Sequence, residues 1–106
     1  MSDKLKTLSQ AIRLGATFRP QCFGHLAENG GTCAIGAAIE ALGFDPTDGS
    51  GASYGVMELH IRFGSLTQFM QCPVCLEEIC IPVTHLNDRH GWTREQIADW
   101  LEAQGK

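Results

Sequence analysis

Four residues constrain this chain more than any other feature: Cys72-Pro-Val-Cys75, followed by His85 and His90. The intervals read Cys-x2-Cys, nine residues, then His-x4-His. Two thiols and two imidazoles at such spacing can close a tetrahedral site around one zinc ion, with two ligands from a tight turn and two from a following element. The central spacer is shorter than in the usual finger. Pro73 presets the backbone dihedral that a Cys-x2-Cys turn needs, so consecutive amides can point at the sulfurs. The expected metal ligands are Cys72, Cys75, His85 and His90, and the expected cofactor is Zn2+.

Two alternatives compete for these residues. Cys72 and Cys75 could form a redox dithiol, but such a pair is expected at the start of a long helix. Leu76-Glu-Glu-Ile-Cys80-Ile-Pro82 cannot supply one. Cys80 could replace either histidine in a Cys3His set. The alternation of Ile79, Ile81 and Val83 predicts a short strand that turns Cys80 to the other side and leaves His85 as the third ligand.

The remainder reads as one domain over residues 1–106, mainly α with a small β hairpin and a zinc knuckle. Residues 1–44 form a helical half, 45–55 a flexible loop, and 56–106 carry the knuckle and a C-terminal helix. Leu5, Leu8, Ile12 and Gly15 fall at helical spacing, which predicts a first helix over residues 3–18. A loop through Gly24, Asn29, Gly30 and Gly31 follows. Thr32 stands where an N-cap belongs, ahead of Cys33 through Leu42 and a terminating Gly43. Cys33, Gly36, Ala37 and Ala41 give this second helix a small-residue face open to close approach of another backbone. Asp45-Pro-Thr-Asp-Gly-Ser-Gly51 reads as linker. Val56, Leu59, His60, Phe63, Leu66 and Phe69 then recur at three and four, with Gly64 as an interruption. Thr93-Arg-Glu-Gln96 is a capping box opening an amphipathic helix with Ile97, Trp100 and Leu101 on one face.

Composition narrows the function. A hydrophobic share of 43% with 19% charge belongs to a folded chain, and no stretch approaches the ~20 apolar residues of a membrane span. Met1 to Lys6 alternates charge without an apolar run, so the expected compartment is the cytoplasm. Five cysteines, an odd number, favour thiols or metal ligands over disulfides. The net charge of −4 argues against generic nucleic-acid binding. Lys4, Lys6, Arg13 and Arg19 nevertheless cluster before residue 22, whereas Glu28, Glu40, Asp45, Asp48 and Glu58 follow with no Lys or Arg among them through residue 61. A basic arm on an acidic body is a possible docking surface.

Two other function classes have a foothold. Cys33 near a helix start could be a nucleophile in a hydrolase or transferase, with His25, His60, His85 or His90 as base. A Cys in an Ala- and Gly-rich helix is more often a small buried hydrophobe. A short helix near His85, a turn at Gly91 and the Thr93 helix also imitate a DNA-binding helix-turn-helix. There, however, Arg94 and Gln96 stand against Glu95, Asp99 and Glu102.

Several blocks carry a resemblance: Ala11-Ile-Arg-Leu-Gly-Ala16, Gly31-Thr-Cys-Ala-Ile-Gly-Ala37, Cys-Pro-Val-Cys, and His85-Leu-Asn-Asp-Arg-His90 leading into Trp92-Thr-Arg-Glu-Gln-Ile-Ala-Asp-Trp-Leu101. Together they resemble a group of small uncharacterised bacterial and phage or prophage proteins, over about half the chain. The resemblance implies a compact accessory protein from a mobile-element background. The expected function is therefore a non-enzymatic, zinc-binding interaction module with a protein partner. One version is an inhibitor or modulator of a host machine that meets a basic groove through its acidic surface. The sequence leaves the oligomeric state open.

Overall fold

A computed structural model describes residues 5–64, 70–79 and 81–106. It is mainly helical with two small antiparallel hairpins. The first helix, α1, covers Leu8–Gly15, shorter than the expected span of 3–18. The Thr7 hydroxyl caps it by accepting from the Gln10 N–H at 3.2 Å. At the other end the Thr17 and Phe18 amides reach back only three residues, to the Leu14 and Gly15 carbonyls, so the coil tightens before Pro20. Leu8, Ala11, Ile12 and Gly15 form the buried stripe.

Part of the expected loop is a tight hairpin. Strands β1 (Ala27–Glu28) and β2 (Gly31–Thr32) pair antiparallel across Asn29 and Gly30, which take φ of 51° and 82°. Two consecutive positive φ values make the turn whose twist matches a hairpin, and Asn-Gly is the dipeptide that tolerates both. The backbone of Thr32 is thereby committed: its N–H donates to the Pro20 carbonyl at 2.8 Å, and its own carbonyl accepts from the Cys22 N–H. The cap of α2 (Ala34–Ala41) consequently falls on Cys33 and not on Thr32, with the Cys33 sulfur accepting from the Gly36 N–H at 3.4 Å.

The small-residue face of α2 receives α1 at backbone distance. A Cβ on Gly15 would lie 1.7 Å from the Ala37 carbonyl oxygen, so only glycine permits the crossing. The third helix, α3, runs Gly49–Phe63, so residues 49–55, expected as loop, form its first two turns. Asp48 sets this start by accepting from the Gly51 N–H at 3.0 Å. Gly64 ends the helix in the left-handed region, at φ 68°. Leu66 and Phe69, expected to continue the pattern, lie outside the described residues.

Strands β3 (Met70–Gln71) and β4 (Glu78–Ile79) form the second hairpin, in register Met70 with Ile79 and Gln71 with Glu78. The strand expected through Ile79, Ile81 and Val83 stops at Ile79. Pro82 opens helix α4 (Pro82–Asp88), because its fixed φ and missing N–H suit the first helical position. Val83 is therefore a fully buried helical residue. The last helix, α5 (Arg94–Ala103), carries the expected capping box between Thr93 and Gln96, and buries Ile97, Ala98 and Leu101.

The core gathers Leu8 and Ile12 of α1, Ile35 and Ile39 of α2, Leu59 of α3, Val83 and Leu86 of α4, and Ile97 and Leu101 of α5. Two buried polar side chains tie it together. Arg94, 8% exposed, donates to the Thr32 hydroxyl at 3.0 Å and to the Arg19 carbonyl at 2.7 Å, with longer contacts to the Ala16 and Thr32 carbonyls. Asn87, fully buried, accepts from the Gln21 side chain at 2.7 Å and the Ala34 N–H at 3.2 Å. Its amide donates to the Cys22 carbonyl and to Asp88. No helix among the described residues is long and apolar enough to cross a membrane.

Candidate metal centre

The turn between β3 and β4 and the helix α4 bring the four expected ligands together. One donor atom from each of Cys72, Cys75, His85 and His90 falls in a group whose members all lie within 4.8 Å of one another. The turn is held by its own backbone: the Cys72 N–H donates to the Glu77 carbonyl at 2.8 Å, and the Leu76 N–H to the Cys72 carbonyl at 2.9 Å. The Val74 N–H points at the Cys72 sulfur at 3.4 Å. Leu76 closes the turn at φ 66°, a conformation that a residue with a side chain adopts only when its surroundings impose it.

His85 sits on the last turn of α4 and His90 just beyond its end. Their Nε2 atoms are 3.0 Å apart, and the rings meet edge to face at 78°. The Cys75 sulfur is 3.4 Å from His85 Nε2. A tetrahedral ion with Zn–S near 2.3 Å and Zn–N near 2.0–2.1 Å requires ligand atoms about 3.3–3.8 Å apart. The His85–His90 and Cys75–His85 contacts are within a few tenths of an ångström of those edges, and the four donors as a set lie within 4.8 Å. Cys72 is buried, Cys75 is exposed, and the histidines are half-buried, so the site lies at the surface with one thiolate beneath it.

The local electrostatics suit a thiolate. Burial by itself pushes the Cys72 thiol up, but N–H groups of Cys75, Val74 and Leu76 and the Cys75 thiol converge on its sulfur, and the balance holds it below the ordinary thiol value. For Cys75 the Glu77 N–H acts downward, yet burial and the neighbouring Cys72 sulfur outweigh it and the thiol is raised. The pair thus shares one proton more readily than it loses two. Burial, then the nearby His90 and Arg89, lowers the pKa of His85 and favours the neutral imidazole that a metal needs.

No protein-family model matches this chain, and neither a curated protein nor a solved structure matches it.

Three residues around the centre escaped the sequence reading. Asn87 and Asp88 anchor α4: Asp88 accepts from the Gly24 N–H at 2.9 Å, and Asn87 joins α4 to the start of α2. Their signal was present in the His-Leu-Asn-Asp block, where they lie between the two candidate histidines. Glu77 places a carboxylate oxygen 3.8 Å from the Cys75 sulfur. Cys80, the alternative ligand, lies outside the described residues.

The other candidate residues are placed elsewhere. Cys33 is 5% exposed and burial raises its thiol. His25 faces Glu28 at 3.4 Å. His60 borders an apolar groove of about 170 Å³ with Leu26, Ile35, Val56, Ile81 and Thr84. Arg94 is buried and Gln96 is engaged in the capping box, so neither stands free on the outer face of α5. Among the described residues, several members of the charge blocks are also engaged. Arg13 meets Asp99 at 2.6 Å and Glu102 at 2.8 Å, Arg19 meets Glu40 at 2.8 Å, and Arg62 meets Glu58 at 2.7 Å. Asp45 accepts from both the N–H and the hydroxyl of Thr47, and Asp48 caps α3.

Proposed function

We propose that this chain is a small zinc-binding module that presents a surface to a protein partner and performs no catalysis of its own. The observation that carries the metal is the convergence of two sulfurs and two imidazole nitrogens, from separate elements, within 4.8 Å of one another. Soft thiolates with imidazoles in a closed four-ligand set favour zinc, and four protein ligands leave no open position for a substrate. The metal would pin the β3–β4 hairpin to α4. Its role is structural: it replaces the hydrophobic contacts that a two-residue ladder cannot supply.

The DNA-binding alternative draws no support from α5, whose outward charges are the carboxylates clasped by Arg13 and whose arginine is buried. The nucleophile alternative would need a base at Cys33, whose sulfur is instead hydrogen-bonded to the Gly36 N–H. The reading as a phage-encoded inhibitor with an acidic contact surface rests on the sequence resemblance. The acidic stretch it invoked consists largely of carboxylates already paired or capping within the fold. Co-purification from host lysate tests that version.

The metal reading is tested by native mass spectrometry of protein produced with zinc. One ion per chain is expected, with loss of the ion in Cys72→Ser and in His85→Ala. Binding of this class contributes on the order of 10 kcal/mol of apparent free energy, so chelation should lower the melting temperature markedly. A metal-free protein whose melting is unchanged by chelator refutes the proposal.

A further inference from the structure

We propose that Cys72 and Cys75 form a peroxide-responsive pair, whose oxidation to a disulfide releases the metal and loosens the β3–β4 hairpin from α4. This rests on the metal reading above and adds its regulation. The two sulfurs belong to a donor group whose members all lie within 4.8 Å of one another. A disulfide places its sulfurs about 2.05 Å apart, so closure asks for a movement of under ~3 Å within one turn.

The pair is asymmetric in the way such chemistry requires. Cys75 is exposed, whereas Cys72 is fully buried. An oxidant therefore reaches Cys75 first, and the thiol that completes the reaction is shielded from a second oxidant molecule. The other described cysteines lie outside the group. Cys33 is buried at the head of α2, and the half-buried Cys22 sulfur donates to the His25 carbonyl at 3.3 Å.

The Cys75 thiolate attacks one oxygen of hydrogen peroxide, the O–O bond breaks, and the second oxygen leaves as hydroxide. The Cys72 thiolate then attacks the resulting Cys75 sulfenic acid, forming the S–S bond and expelling a second hydroxide. Two electrons pass from the sulfurs to the peroxide, and Zn2+ departs at unchanged charge, since it has no redox chemistry of its own. Ligation slows the first step, but an exposed sulfur keeps a face open to a small molecule. Two imidazoles remain, half the set that a closed zinc site needs.

Charge selects the oxidant. Glu77 holds a carboxylate oxygen 3.8 Å from the Cys75 sulfur, and Glu78 follows it, on a chain of net charge −4. An anionic oxidant such as glutathione disulfide meets like charge there, whereas hydrogen peroxide is small and neutral. The response is local, because α4 is anchored without the metal. Val83, Leu86 and Asn87 are fully buried, and Asn87 bonds to Gln21, Cys22 and Ala34. Between Met70 and Ile79, by contrast, Cys72 alone is buried.

The test treats the zinc-loaded full chain with hydrogen peroxide beside a chromogenic zinc indicator, and maps the cysteines by peptide mass spectrometry. One zinc per chain should be released as a Cys72–Cys75 disulfide forms, and a thiol reductant with added zinc should reverse both. Amides of residues 70–79 should then exchange hydrogen faster than in the loaded chain, with those of α1 and α2 unchanged. Glu77→Gln should leave the peroxide response as it is and speed the reaction with glutathione disulfide several-fold. An unchanged rate with that disulfide overturns the selection by charge. A chain that never takes up zinc removes the metal reading and this one with it. A chain that binds zinc and keeps it under peroxide overturns this inference alone. So does release with Cys75 joined to Cys80 or oxidised to sulfinic acid, or a helical core that loosens as much as the hairpin.

Discussion

Gly15→Ala separates helix propensity from tertiary fit, because the two predict opposite signs. Within an isolated helix, alanine is better than glycine by about 0.5–1 kcal/mol. In the fold, the new Cβ would stand 1.7 Å from the Ala37 carbonyl oxygen and 2.3 Å from its carbon. These are backbone atoms of α2 and cannot rotate away. Ordinary contact needs about 3.4 Å or more, so α1 must retreat by more than an ångström. A gap of even 0.5–1 Å forfeits a quarter to a half of the contact energy along the interface. Leu8 and Ile12, both fully buried there, each contribute ~1.5–3 kcal/mol through burial. Losing half of that costs about 1.5–3 kcal/mol, and the propensity gain leaves a net loss of ~0.5–2.5 kcal/mol. In thermal melts this is a fall of roughly 2–15 °C for a domain of this size. Gly49→Ala is the matched control: it lies at the exposed start of α3 with nothing within 4 Å of its added Cβ, and should gain up to about 0.5 kcal/mol. Urea denaturation of the three proteins, at constant slope, gives the differences directly. A Gly15→Ala chain as stable as its parent would refute the backbone contact between α1 and α2.

Replacing Arg94 by Met removes a buried guanidinium that serves the Thr32 hydroxyl and the Arg19, Ala16 and Thr32 carbonyls. The expected loss is about 3 kcal/mol by urea denaturation, with part retained by Arg94→Lys. In alkylation followed by peptide mass mapping, exposed Cys75 should react first in chelator and be protected by zinc, while Cys33, buried and with a raised thiol pKa, should stay unmodified until the chain unfolds. The metal-free chain should lose stability as pH falls through and below about 6.5: burial, then His90 and Arg89, depresses the folded-state pKa of His85 below that ordinary value, so the unfolded chain takes up the proton first. Zinc should sharpen this fall, because both imidazoles must be neutral to ligate, and a stability flat from pH 7 to 5 would contradict it.

The sequence by itself determined what depends on local spacing. Cys-x2-Cys and His-x4-His named four donors that converge, because a tight turn and a helix end fix the reach of each pair separately. The Thr93 to Gln96 capping box was legible for the same reason, since both partners lie within one helical turn. Asn29-Gly30 was equally local and its hairpin could have been read from the dipeptide. What the tertiary structure alone decided involves partners far apart in the chain. Thr32 lost its role as cap because its backbone was claimed by Pro20 and Cys22. Gly49 to Gly55, polar and glycine-rich, became helix because Gly55 packs against Ile39 of α2 and Leu59 is buried beneath it, with the local Asp48 cap only setting the start. Arg94 looked like a surface charge and became a buried clasp 62 residues from Thr32. Local rules carry no information about such distant claims. A backbone amide or a guanidinium takes the partner that burial offers it, and burial is a property of the whole fold.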